Sequence, residues 1–132
     1  MSLQPLLDAA PAIQAHAFTA MAAFALGLVQ LAAPKGTLPH RTVGYVWVTL
    51  MVIVCATSFW IHDIRMWGSW SAIHLLSIFT LIALPSAVLH ARRHQVAQHR
   101  NAMIMMFAGA LLIAGLFTFM PGRIMHAVAF GN

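Results

Sequence analysis

Four apolar runs of about twenty residues, separated by short polar connections, fill almost the whole 132-residue chain. Runs of that length match the roughly 20 residues that an α-helix needs to cross the hydrocarbon core of a bilayer. The pattern predicts spans over about 12–33, 42–61, 71–90 and 101–120. The fold class that follows is all-α integral membrane, a four-helix transmembrane bundle in one membrane domain, 1–132. Two stretches punctuate it alike: Leu38-Pro39-His40-Arg41-Thr42-Val43-Gly44 and Gln98-His99-Arg100-Asn101-Ala102-Met103. Each puts a His-Arg pair at the foot of an apolar run. His16 stands 24 residues before His40 and His74 stands 25 before His99. The chain therefore reads as a tandem repeat of a two-helix unit, about 12–62 and 71–120, offset by 58 or 59 residues. A plainer account of the pairs is that any hairpin of spans carries polar residues at its turns.

Within the spans, polar and small residues predict which faces meet. Pro11 suits the first turn of a helix. Ala15, Thr19, Ala23 and Gly27 recur every four residues, a spacing that lets a neighbouring helix approach closely in lipid. The second span opens with Tyr45 and Trp47 and closes with Phe59 and Trp60, aromatic pairs expected at the two membrane–water interfaces. A seam of Tyr45, Thr49, Ala56 and Thr57 marks the side expected to face the other helices. Ser71, His74 and Ser77 give the third span a polar stripe, and Pro85 is expected to bend it. The fourth span has methionine early, at Met103, Met105 and Met106, and small residues late, at Ala110, Ala114 and Gly115. Methionine there reads as adaptable packing.

Composition agrees, with 61% hydrophobic and 7% charged residues against a soluble norm of about a quarter charged. Seven basic and two acidic residues make the chain strongly basic. The basic residues sit in short loops between apolar runs, so anionic lipid headgroups are their expected counter-charge and nucleic acid is set aside. Cys55 is the single cysteine and has no disulfide partner in the chain. The N-terminus has no basic n-region and the first run is too long for a signal peptide, so it reads as a true span. Lys35, Arg41, Arg92, Arg93 and Arg100 lie on one side; Arg65 and Arg123, with both acids, lie on the other. Five against two puts the repeat turns in the cytoplasm and both termini in the periplasm of a bacterial inner membrane.

That folding sorts the histidines into two layers, His16, His62, His74 and His126 outside, His40, His90, His94 and His99 inside. Few acids accompany them, which favours haem iron or a transition-metal ion over calcium or magnesium. Facing imidazoles in a four-helix membrane core are a usual way to hold haem. Here the chain resembles, in plan, the two-haem b-type cytochromes of the ascorbate-reducing and ferric-reducing kind. The resemblance implies His16 and His74 as axial ligands of an outer haem b and His40 and His99 of an inner one. His40 to His62 spans 22 residues, roughly 33 Å of helix and about the full hydrocarbon thickness. The inner pair is thus at the water boundary, and the outer site is better placed. His62 and Asp63, with His74 and His126, form an alternative metal set. Anchoring to phosphate is the plainer role for His40-Arg41 and His99-Arg100, and hydrogen bonding to a neighbouring Ser or Thr for His16 and His74.

Across its length the chain is also similar to a family of small bacterial predicted membrane proteins classed as a domain of unknown function. The similarity rests on His40-Arg41-Thr42-Val43-Gly44, Ser58-Phe59-Trp60-Ile61, Ile73-His74-Leu75-Leu76-Ser77, His99-Arg100-Asn101-Ala102-Met103, Ala114-Gly115-Leu116-Phe117 and Pro121-Gly122-Arg123. It implies a four-span membrane protein and no particular chemistry. With no nucleophile–base set, phosphate loop or carboxylate pair, hydrolases and phosphoryl transferases are excluded. Two roles remain: a small b-type cytochrome or metal-binding electron carrier, or a non-catalytic accessory or assembly subunit of a larger respiratory or photosynthetic membrane complex, docked through small-residue helix faces.

Overall fold

Apolar side chains in lipid leave the backbone to satisfy itself, and the chain does so with helices. A computed structural model describes residues 1–60 and 72–131. A short α1 (Gln4–Leu7) precedes α2 (Pro11–Ala32), α3 (Leu38–Ser58) and α4 (Ala72–Arg92). Helix α5 (Val96–Met106) continues through a π-helical stretch (Phe107–Ile113) into α6 (Ala114–Phe117), and α7 (Ile124–Phe130) ends the chain. Four segments are long and apolar enough to cross a membrane: Pro11–Ala32, Leu38–Ser58, His74–Arg92 and Val96–Phe117. The all-α, four-span reading of the sequence therefore holds.

Helix starts differ from the apolar runs. Helix α3 begins at Leu38 and α5 at Val96, so both His-Arg pairs lie inside helices, in or just past the first turn, and not before them. At α3 the reason is capping: the Thr37 side chain accepts from the His40 N–H at 3.2 Å, and a proline occupies the first turn, whereas α5 starts without a side-chain cap. Hydropathy alone does not register such polar first turns.

Helix α2 packs on α3, α3 on α4, α4 on α5, and the π-helical stretch returns to α2. The ring places α2 and α4 on one diagonal, α3 and the fourth span on the other. One end of the bundle carries the turns α2–α3 and α4–α5, the turn end. The other, the terminal end, carries both termini, where the Ser2 N–H donates to the Val128 carbonyl at 3.0 Å. The two halves differ along their length, since α3 is unbroken and the fourth span contains the π-helical stretch. The repeat thus remains a pattern of the sequence.

Between the ends lies a packed apolar layer that includes Ala23, Trp47, Met51, Leu84, Met106 and Phe107. Trp47 is 3% exposed, not interfacial as its place near the start of the run predicted. Its indole Nε1–H donates to the Ala23 carbonyl at 3.0 Å. That carbonyl is open to the indole because the residue one turn on is Gly27, where a Cβ would meet the Phe107 ring and stand 3.2 Å from Trp47 Nε1. Phe107 stacks on Phe24 at 5.5 Å between centroids. Ala23 and Gly27 of the small stripe therefore close the bundle on itself, while Ala15 is exposed. The seam expected on the second span meets other helices only near its ends: Tyr45, though 48% exposed, accepts from Arg92 of α4, and Thr57 accepts from the His16 ring of α2, while Thr49 is exposed. Thr49 and Thr57 hydroxyls donate back to Tyr45 and Ile53 carbonyls of their own helix, at 2.9 and 2.8 Å, so neither requires another helix as acceptor. Trp47, Met51, Val54, Cys55 and Ser58 are the buried residues instead. Trp60, 71% exposed, fits an interfacial aromatic.

Candidate functional site

The first site is built at the terminal end from polar residues on three helices. His16 lies in the second turn of α2, and its Nδ1 is 2.9 Å from the Val54 carbonyl and 3.1 Å from Thr57 Oγ1. A carbonyl only accepts, so Nδ1 carries the proton and Nε2 keeps its lone pair. His74, on α4, is 0% exposed, and its ring lies 5.9 Å from that of Phe59. One turn further, Ser77 Oγ meets Ser58 Oγ at 2.6 Å, and Ser58 donates to the Cys55 carbonyl at 2.6 Å. Ser77 is then the donor in the serine pair. His16 and His74 thus approach the last turns of α3 from its two neighbouring helices. Their enclosure among the hydroxyls of Thr57, Ser58 and Ser77 follows from the expense of leaving polar groups unpaired in lipid.

At the turn end, His99 Nδ1 lies 2.9 Å from the Ala87 carbonyl of α4 and so donates to it. His40 is on the diagonal helix, within electrostatic reach of both His99 and Lys35. Its ring Nδ1 is buried and has no hydrogen-bond partner among the described residues. Gln30 Nε2 donates to the His40 carbonyl at 2.9 Å, and a groove of about 370 Å³ beside it is lined by His40, Gln30, Pro34 and Val43. His90 donates from Nδ1 to Gln95 Oε1 at 2.6 Å, across a turn in which His94 adopts φ 57°.

The family described as predicted membrane protein (DUF2306) matches residues 13–129. The chain belongs to that family. The match takes in every span and all eight histidines of the sequence. No curated protein and no solved structure matches the chain.

In this DUF2306 protein the remaining candidates stand apart from the two layers. His62 and Asp63 lie outside the described residues. His126 donates from Nδ1 to the Phe119 carbonyl at 2.7 Å and packs on Phe130 at 4.8 Å, tied into its own segment. Among the described residues, no three His, Cys, Asp or Glu side chains gather where they could share a metal ion. A haem asks for two imidazoles with Nε2 available, and the donor chemistry of one ring at each end fits that requirement, His16 at the terminal end and His99 at the turn end. Ser58, Gln30 and Trp47 belong to these surroundings and were not singled out from sequence as site residues. Ser58 had a signal, a polar residue one turn after Val54 near the end of an apolar run.

Proposed function

We propose that this protein is a small b-type cytochrome that passes electrons through the membrane. His16 and His74 are the axial pair at the terminal end, His40 and His99 the pair at the turn end. The observation that carries the reading is the orientation of two rings. His16 and His99 each give Nδ1–H to a carbonyl of a neighbouring helix, the second-sphere bond that metal-bound histidines almost always make. When bound, haem supplies a reversible one-electron iron couple whose potential follows from ligand identity and burial. The chain's own residues fix the tautomers of His16 and His99, exclude water and hold the two sites apart. Val54 and Thr57 orient His16, Ala87 orients His99, and the Trp47–Phe107 layer fills the space between the ends. His40 Nδ1, buried and unpaired among the described residues, costs about 1–3 kcal/mol as it stands; a ligand near that ring offsets the cost. Five basic residues at the turn end against two at the other support a topology with the turns in the cytoplasm of a bacterial inner membrane and both termini in the periplasm.

An accessory role in a larger respiratory or photosynthetic complex is the second reading, and it draws on the fourth span. A Cβ at Gly109 or Gly115 would meet nothing within 4 Å, so that face has room for another helix. On the first span, by contrast, Ala23 and Gly27 are used inside the bundle. A reduced-minus-oxidised visible spectrum of the protein purified with its native lipids separates the readings. A b-type signal lost in His16→Ala or His99→Ala supports the cytochrome. No signal in the unaltered chain, with Gly115→Leu releasing co-purifying proteins, supports the accessory subunit.

A further inference from the structure

A second concave surface lies on the lipid-facing side, away from both histidine layers. A groove of about 410 Å³ runs between α3 and α4, walled by Val48, Val52, Leu81, Pro85, Val88 and Leu89. Tyr45 and Arg92 close its turn-end mouth, and the Arg92 Nε and Nη2 donate to Tyr45 Oη at 3.3 and 3.2 Å. From Arg92 down to Leu81 is 11 residues of helix α4, roughly 16 Å at 1.5 Å per residue. That is about half of a 30 Å hydrocarbon core, the depth of one leaflet. The walls are apolar, and only the mouth carries charge.

We propose that this groove binds one anionic phospholipid, its phosphate on Arg92 and an acyl chain along the α3–α4 seam. Charge complementarity selects the occupant. A guanidinium has five N–H donors, and Tyr45 uses two, which leaves three for a phosphate in a fixed fork. The sequence has only two acids, Asp8 and Asp63, and neither lies in a segment that joins helices at this end. The counter-charge for Arg92 therefore comes from outside the chain. Groove length selects an acyl chain that ends at the midplane. Tyr45 holds the guanidinium at headgroup depth, where an arginine with a free side chain would spread over the surface.

The test is native mass spectrometry of the full chain, delipidated in neutral detergent and titrated with phosphatidylglycerol, phosphatidylcholine or an isoprenoid quinone. One phosphatidylglycerol per chain is expected, favoured over phosphatidylcholine by about fivefold, the effect of one basic residue near a headgroup. Arg92→Gln brings the two lipids to equal binding, and Val52→Trp, which fills the groove from an exposed position, weakens both. Helical circular dichroism confirms that each variant is folded, and Tyr45→Phe supplies a milder variant that lowers the preference without removing the charge. Equal binding of the two lipids by the unaltered chain overturns the proposal. So does a preference that survives Arg92→Gln, or displacement of the lipid by quinone mole for mole.

Discussion

The two ends of the bundle carry the same residue type and use it differently. At the terminal end the histidines are enclosed. His16 is bound to a carbonyl and a hydroxyl, His74 is fully buried, and Ser58 and Ser77 satisfy each other and the Cys55 carbonyl. At the turn end the histidines stand at the edge, beside Lys35 and within one turn of a helix start, and His40 Nδ1 is left without a hydrogen-bond partner among the described residues. A fully buried ring fills space that the bundle packs around, whereas a ring in the first turn of a helix stands where the bundle ends. The terminal end is thus packed into the fold, whereas the turn end stands at its edge.

The largest effect is expected between the ends. Gly27→Val puts side-chain atoms where the Phe107 ring and Trp47 Nε1 now lie. Overpacking of this kind costs about 1–3 kcal/mol or more. Unfolding midpoints in one fixed detergent would record it, and an unchanged midpoint would mean that the aromatic layer does not hold the ends apart. Next is His74→Ala, expected to destabilise by about 2 kcal/mol through the cavity left by a fully buried ring. His40→Leu inverts the sign in cofactor-free protein. Removing the orphaned nitrogen is expected to stabilise it by about 1 kcal/mol while weakening any cofactor signal from the turn end. If His40→Leu destabilises as much as His74→Ala, the contrast between the ends fails. The smallest effect belongs to His94→Gly. Its left-handed backbone, at φ 57°, costs a side chain roughly 1–2 kcal/mol, the entropy that glycine loses on folding takes back about 0.5–1 kcal/mol, and a slightly raised midpoint is expected.

Much of this was legible in the sequence because lipid imposes simple rules. Runs of about twenty apolar residues become helices since no other arrangement satisfies the backbone there. Short connections make consecutive helices antiparallel, which sorts His16 and His74 to one end and His40 and His99 to the other. Finer features depend on partners remote in the chain. Trp47 looked like an interfacial aromatic until Gly27, 20 residues earlier, opened a carbonyl to its indole. The Thr49 hydroxyl looked like a contact for another helix and instead bonds to its own. Helix starts at Leu38 and Val96 were hidden because first turns tolerate proline, histidine and arginine, which hydropathy counts as loop. The π-helical stretch over Phe107–Ile113 has no periodicity signal that distinguishes it from α-helix in a run this apolar.

The central claim, that histidine pairs hold haem at both ends, is tested most directly by pyridine haemochrome quantitation on the full chain purified gently from its native membrane. The account predicts two b-type haems per chain. His74→Ala is expected to remove the haem at the terminal end, and His99→Ala the one at the turn end. No haem in a preparation that keeps its lipids and neighbours would contradict it.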